Sequence, residues 1–428
     1  MQLPNTPPKW TADWFPEEFK VRKHIFDTWR KVCLSYGFEE YLGPLVESID
    51  IWKAKSWEDV WGSELTQITN REGRLDGLAL RPEMTPSVTR MASRIWKETD
   101  KPLKWFSIAN FYRNEKPQKG RNREFWQLNA DIFGETELTA DIEILTLALE
   151  LMRAFHPPAW SYTLKLNHRA LIQSFLSEVL GVSDPEKQSL VIRLMDKYEK
   201  LSLTDFKKKL HEIDAECDVT LIVKFMQAKS IEDLSCSFIS LAAHPSFIAF
   251  KDIVTTLTEL WYASEIEFSG SLIRGFDYYD GMIFEMFDTN KDNPRALFGW
   301  GRYNGLASIF WVKEGIPAVG FAPGDEMMKL FLEWYGLLEA IKNTQTEKYY
   351  FPLLEKNLYR DCLEISQVLR LSGKSVNLWL SEKKLAKALK YADKNMYTHV
   401  IIFWPEEQEK WVFVVKDLRT WEDKKEVL

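Results

Sequence analysis

Arg274-Gly-Phe-Asp-Tyr-Tyr-Asp-Gly281 concentrates an arginine, two tyrosines and two aspartates in eight residues. Arginine is a permanent cation whose planar fork grips carboxylates and phosphates. The tyrosines combine flat apolar rings with hydroxyls that donate and accept hydrogen bonds. Such a cluster suits a small zwitterion held beside a phosphate. It equally suits an irregular sheet edge with exposed polar residues.

A second group runs from Phe111 to Gln127 as Phe-Tyr-Arg-Asn-Glu-Lys-Pro-Gln-Lys-Gly-Arg-Asn-Arg-Glu-Phe-Trp-Gln. Arg113, Lys116, Lys119, Arg121 and Arg123 precede one aromatic ring, Phe125. Cations neutralise phosphates while a ring stacks on a base, so a nucleotide fits this pattern. A solvated basic loop fits it too. Leu80-Arg-Pro-Glu-Met-Thr-Pro86 sets Glu83 and Thr85 where a strand gives way to a helix. A carboxylate there can pair with an ammonium group or serve as an ordinary acidic first turn. Phe298-Gly-Trp-Gly-Arg-Tyr-Asn-Gly-Leu306 and Pro317-Ala-Val-Gly-Phe-Ala-Pro-Gly-Asp-Glu326 carry glycines that allow close backbone approach. Neither ends in the Lys-Ser/Thr of a P-loop.

Strands and helices must gather these groups. Apolar spacing predicts a helix over 16–36, a short strand over 38–46 that enters a turn at Gly43-Pro44, and a hairpin over 65–69 and 78–80. A helix over 86–96, strands over 104–113 and 124–133 and a helix over 140–155 follow. Residues 167–262 read as a helical insertion, strands return at 273–287 and 318–322, and 342–348 reads as a linker. Short β-rich runs at 349–353, 375–380, 399–403 and 411–415 alternate with helices, as in a separate small α/β domain. A chain of 428 residues is expected to hold two or three domains. Its 45% hydrophobic and 28% charged residues are those of a soluble globular protein. A net charge of -7 argues against broad non-specific nucleic-acid binding and leaves room for a local basic patch. The four cysteines form no CxxC pair, which favours reduced thiols over a zinc site or a disulfide framework. The start of the chain lacks a secretory pattern, and no apolar run reaches the ~18 residues of a membrane span. The 18 tryptophans stand out and fit none of these chemistries.

In this order, the segments resemble class II aminoacyl-tRNA synthetases, and specifically the histidyl-tRNA synthetases. The three class motifs resemble the Gly43-Pro44 segment, Tyr112 to Phe133, and Ala318 to Glu326. The two histidine-specific motifs resemble Arg274 to Glu285 and Gly299 to Leu306. The family's Arg-Pro-Gln-Lys-Gly-Arg loop is similar to Lys116-Pro-Gln-Lys-Gly-Arg121. Ser381 to Asp393 and Val415-Lys-Asp-Leu418 resemble its anticodon-binding domain, so the likeness spans nearly the whole chain.

The resemblance implies an α+β fold: a class II antiparallel sheet flanked by helices, a helical insertion, and a C-terminal α/β anticodon-binding domain. The implied segments are a catalytic domain at 1–166 and 263–335, the insertion at 167–262, a linker at 336–348 and the anticodon-binding domain at 349–428. It implies ATP-dependent activation of L-histidine to histidyl-adenylate, then transfer to the 3' end of tRNA(His). Arg113 and Arg274 would be catalytic, holding charge at the α-phosphate. Histidine would be bound by Glu83, Met84, Thr85, Arg113, Gln127, Asp131, Arg274, Tyr278 and Tyr279, with Asp131 and the tyrosines at the imidazole. ATP would meet Arg113, Glu115, Arg121, Arg123 and Phe125. Mg²⁺ is implied without an assigned ligand, as are a cytoplasmic homodimer and no membrane partner.

Three departures stand out. Gly324-Asp-Glu-Met327 has methionine where the family has an arginine that touches ATP. Asp131 stands where a glutamate faces the imidazole. Asn114 and Trp126 replace the more usual histidine or tyrosine. The methionine favours a rival reading, a catalytically silent paralogue such as the regulatory subunit of histidine biosynthesis. Other rivals are a class II synthetase for another amino acid and a tRNA-binding module that keeps the fold alone.

Overall fold

The computed structural model describes residues 3–53, 64–115, 120–198, 201–273, 279–342, 347–410 and 412–427. The chain divides into two compact units, Met1–Lys342 and Asn343–Leu428.

The first unit contains strands β1 (Glu39–Glu40), β2 (Val46–Ser48), β3 (Gln67–Thr69), β4 (Leu75–Leu80), β5 (Leu103–Tyr112) and β6 (Glu124–Phe133). β7 (Tyr162–His168), β8 (Ile266–Phe268), β9 (Met282–Asp288), β10 (Ala296–Arg302) and β11 (Ala318–Phe321) complete it. Eight of them form one sheet in the order β1-β5-β6-β11-β10-β9-β7-β8. From β5 to β7 every pairing is antiparallel, and only the edge pairs β1/β5 and β7/β8 are parallel. The expected antiparallel sheet is therefore present, with a parallel strand added at each edge. β2, β4 and β3 form a smaller antiparallel sheet.

β5 and β6 pair along their whole length, from Leu103↔Phe133 to Tyr112↔Glu124. Strand side chains alternate between faces. Phe106, Ile108, Leu128, Ala130 and Ile132 join one core with Trp29 of helix α1 (Pro16–Ser35), and Ala109, Phe111 and Phe133 join another with Val88 and Ala92 of α2 (Thr85–Ile95). The first core also takes Ile144, Leu147 and Leu151 of α3 (Leu138–Arg153) and Met328 and Phe331 of α4 (Asp325–Trp334). Truncating a fully buried ring such as Phe106 to alanine costs about 3–5 kcal/mol. Between β7 and β8 lies a run of helices whose starts are written locally. Asp184, Ser202, Asp218 and Ser230 each accept a hydrogen bond from the first turn of the helix that follows.

The second unit is a five-stranded sheet in the order β13-β12-β14-β15-β16. Its strands are β12 (Lys348–Leu353), β13 (Ser375–Glu382), β14 (His399–Ile402), β15 (Val412–Asp417) and β16 (Asp423–Val427). β12 pairs in parallel with both neighbours, and β14 to β16 are antiparallel. Alternation along β12 sends Tyr349, Phe351 and Leu353 to the layer under helix α5 (Tyr359–Leu371) and Tyr350 to the layer under α6 (Leu385–Lys394).

The strand expected over 38–46 shrinks to two residues, because Gly43-Pro44 interrupts the apolar run and Pro44 has no N–H to donate. β7, β8, β10 and β16 were not read from sequence, although β7 alternates buried Tyr162, Leu164 and Leu166 with Thr163 and Lys165. Residues 343–346 of the expected linker lie outside the described residues.

Candidate active site

Alternation along β6 puts Phe125, Gln127, Asn129 and Asp131 on the face opposite Leu128 and Ala130. Asp131 is buried, and its Oδ1 accepts the Tyr303 hydroxyl at 2.5 Å. Its neighbour on β11 is Gly320, and the next across, on β10, is Gly301. A Cβ at Gly320 would stand 2.1 Å from Asp131 Oδ1 and 2.7 Å from the Ala130 carbonyl oxygen. One at Gly301 would stand 2.3 Å from the Met282 carbonyl oxygen. At position 320 only glycine leaves room for the carboxylate, and Gly301 extends the glycine floor one strand further. Burial pushes the Asp131 carboxyl up to about 7, against the pull of the Tyr303 hydrogen bond.

Glu83 enters from the residues just before α2 and is also buried. Burial pushes its carboxyl up to about 8; the Arg113 cation opposes this, and Asp131 adds to it. Among the described residues, neither Glu83 Oε1 nor Asn129 Nδ2 has a hydrogen-bond partner. Buried polar groups without partners are costly and seldom kept without a use. Met84 and Thr85 are buried next to Glu83, Met84 within the core beneath α2.

Arg113 ends β5. Its Nε donates to the Pro82 carbonyl oxygen at 2.9 Å, which ties it to the Glu83 segment. Burial lowers its pKa, and Glu83, Glu115 and Glu64 act against that. Its guanidinium carbon lies 5.0 Å from the centroid of the Phe125 ring, which also stacks on Phe111 at 5.8 Å. Arg121 pairs with Glu115 at 2.9 Å. Arg123 keeps a buried Nε without a hydrogen-bond partner among the described residues. Tyr279 is half-buried, with its ring edge-on to Trp300 at 6.0 Å. Burial, then Glu83, Glu285 and Asp131, push its hydroxyl well above its ordinary range. These mutual influences place Glu83, Arg113, Asp131 and Tyr279 in one site. Gln127 forms a bridge with Gly324 ahead of α4. Arg274, Tyr278, Lys116 and Lys119 lie outside the described residues.

Sequence reasoning missed Tyr303 and Asn129. Tyr303 sits in a segment read for its glycines and as a family motif, with no role given to the tyrosine; a tyrosine between glycines at a strand end was the available signal. Asn129 required only the period of two from Gln127 to Asp131. Three buried arginines, Arg22, Arg81 and Arg302, also went unread. Arg81 donates to the carbonyl oxygens of Gly43 at 2.8 Å and Asn110 at 3.0 Å, which fixes the Gly43-Pro44 turn to β5. Arg302 pairs with Asp141 of α3 at 2.5 Å.

The sequence model of the histidyl-tRNA synthetase family matches residues 10–325. A histidine–tRNA ligase of Leptospira biflexa is 34% identical over 410 residues, covering 96% of this chain and 92% of that protein. One from Pyrococcus horikoshii is 33% identical over 423 residues, covering 97% and 94%. The crystal structure of a histidyl-tRNA synthetase from Nostoc sp. PCC 7120 superposes with a TM-score of 0.82 at 19% identity, over 100% of this chain and 97% of that one. The sheet, its buried site and these matches define a class II aminoacyl-tRNA synthetase. Within that class, the chain belongs to the histidyl-tRNA synthetase family.

Proposed function

We infer that this protein is a histidine–tRNA ligase that activates L-histidine with ATP and transfers it to tRNA(His). Buried Glu83, Asp131 and Tyr303, with half-buried Arg113 beside them, carry the reading at the level of the site. The histidine carboxylate attacks the α-phosphorus of ATP; a new O–P bond forms as the bond to the departing pyrophosphate breaks. A terminal ribose hydroxyl of the tRNA then attacks the acyl carbon and releases AMP. No protein nucleophile is needed, so rate comes from positioning and charge placement.

In this reading Arg113 meets the α-phosphate and the histidine carboxylate from one side, and Arg274 from the other. Glu83, Thr85 and Gln127 take the ammonium group, which supplies the donors that Glu83 Oε1 lacks. Met84 packs beneath them. Asp131, oriented by Tyr303, accepts an imidazole N–H, with Tyr278 and Tyr279 alongside. Phe125 stacks on adenine, and Glu115, Arg121 and Arg123 line the polyphosphate side. Among the described residues, no group of three or more His, Cys, Asp or Glu side chains gathers to hold a metal. Mg²⁺ is therefore proposed only as a companion of the ATP phosphates. Among the described residues, no helix is long and apolar enough to cross a membrane. A cytoplasmic homodimer whose second unit reads the anticodon is proposed on family likeness.

The test is histidine-dependent exchange of pyrophosphate into ATP. Exchange with histidine and not with other amino acids supports the reading. A purified, folded protein with no exchange overturns it in favour of a silent paralogue.

A further inference from the structure

We propose that Arg22 is a positioning residue for histidine activation, a role that rests on the ligase reading. Arg22 lies on α1 and is buried, with its guanidinium carbon 3.5 Å from the centroid of the Trp14 ring. Its Nη2 reaches Asp325 Oδ2 at 2.6 Å and Glu326 Oε1 at 3.1 Å, at the start of α4. The other oxygen of Asp325 accepts the Trp126 N–H at 2.9 Å. Trp126 stands between Phe125 and Gln127, the proposed adenine and ammonium contacts. Leu128 N–H donates to the Pro323 carbonyl oxygen at 3.0 Å, so two bonds hold β6 to the turn before α4. Arg22 neutralises the carboxylate that makes the first of these bonds. Immediately after Asp325 and Glu326, Met327 supplies no cation to do so.

The experiment compares Arg22→Gln and Arg22→Lys in pyrophosphate exchange, with melting curves for each. Arg22→Gln is expected to stay folded and to raise the KM values of ATP and histidine together by at least tenfold. Arg22→Lys is expected to recover most of the loss. Asp325→Asn, which weakens the same link from the other end, should reproduce the Gln phenotype. Unchanged KM values in a folded Arg22→Gln, or a wild-type Asp325→Asn, overturn the assignment while leaving the ligase reading intact. A parent protein without exchange removes the reading itself.

A separate observation concerns the tryptophans. Among the described residues, six non-glycine residues have positive φ, and four are tryptophan: Trp10, Trp261, Trp311 and Trp421, at φ 70, 69, 70 and 62. His156 and Met396 are the others, at 54 and 53. A bulky side chain is disfavoured in this left-handed region, which glycine fills without penalty. Local hydrogen bonding shows the same preference. The helix at Pro245–Glu259 ends with Tyr262 N–H donating to the Leu257 carbonyl oxygen at 3.0 Å and Trp261 N–H to that of Thr258 at 3.1 Å. Gly37 and Gly373 close α1 and α5 with the same pair of bonds. This is the helix ending in which glycine dominates. Trp10 is the third residue of a turn closed by Thr11 N–H to the Pro8 carbonyl oxygen, where positive φ calls for glycine. Trp421 ends the β15/β16 hairpin loop, another glycine position. Nor is apolar burial gained: Trp261 is 86% exposed and Trp311 97%.

We infer that Trp10, Trp261, Trp311 and Trp421 stand at glycine positions, specified by a codon that the protein's own cell decodes as glycine. A reassigned stop codon is the simplest candidate. Tandem mass spectrometry of the protein isolated from its own cells should read glycine at all four and tryptophan at fully buried Trp29. Tryptophan at the four positions overturns the inference. In recombinant protein, Trp261→Gly and Trp311→Gly should each raise the melting temperature, by about 2 °C or more, whereas Trp29→Gly should lower it. A lower melting temperature in both exposed variants contradicts the geometric argument.

Discussion

In the proposed reading, the site has two sides built on opposite principles. On the amino-acid side, Glu83 and Asp131 are buried carboxyl groups, held by a strand, a glycine floor and the Tyr303 hydroxyl. On the nucleotide side, cations sit at strand ends and in a loop, and Arg121 is tied to Glu115 near solvent. The first side is proposed to fix identity, because a buried acceptor that is left unpaired rejects a ligand lacking the matching donor. The second side only has to attract a triphosphate, which a displaced or substituted cation does nearly as well. On the proposed reading, that difference would account for methionine at position 327, where the family resemblance implies arginine.

The largest expected effect joins the two sides. Arg113→Ala should reduce kcat/KM in pyrophosphate exchange by roughly 10³-fold, since it removes charge at the reacting phosphate and frees Glu83 from its cation. A loss below tenfold would show that Arg113 is structural.

Asp131→Asn comes next. Weaker exchange, by about 10²-fold for histidine, should accompany greater stability in alkaline solution. The sign follows from the raised pKa. The fold holds the Asp131 proton more tightly than the unfolded chain does, so this contribution is present at low pH and lost as pH rises through about 7. Each unit of pKa corresponds to about 1.4 kcal/mol. Glu83→Gln should behave alike, its contribution lost through about 8. Melting curves at about pH 6 and pH 8 check both. A variant no more stable than the parent at the higher pH would show that neither carboxyl is strained by burial.

Gly320→Ala should cost about 1–3 kcal/mol by crowding Asp131 and the Ala130 carbonyl, and should raise the histidine KM more than the ATP KM. Equal effects on both would deny that the floor belongs to the amino-acid side. The smallest effect is expected at Met327→Arg, where the ATP KM should fall by about threefold with the histidine KM unmoved. A Cβ at Gly120 would stand 2.6 Å from Met327 Sδ, so the new side chain must turn away from that loop to reach a phosphate. An unchanged ATP KM would show that Arg121 and Arg123 already suffice.

The same contrast explains what the sequence made legible. β5, β6 and α1 to α3 were readable because each buries one face against a core, which imposes a strict period. β10 was not, because Gly299 and Gly301 and a register shift between Ala296 and Phe298 interrupt its alternation. Glu83, Arg113 and Gln127 were readable as charged or polar groups in short motifs, whereas Asp131 came only from the family resemblance. Tyr303 was not, because its role depends on cross-strand register through Gly301 and Gly320 to Asp131, a relation between segments far apart in the chain.

The central claim is that the buried carboxyl side selects histidine. ATP–pyrophosphate exchange in the parent and in Asp131→Asn, measured against histidine and a panel of other amino acids, tests it most directly. Exchange by the parent with histidine alone, and a variant whose loss falls on the histidine KM, is the predicted result. An Asp131→Asn protein that exchanges with the parent's KM and selectivity would contradict it.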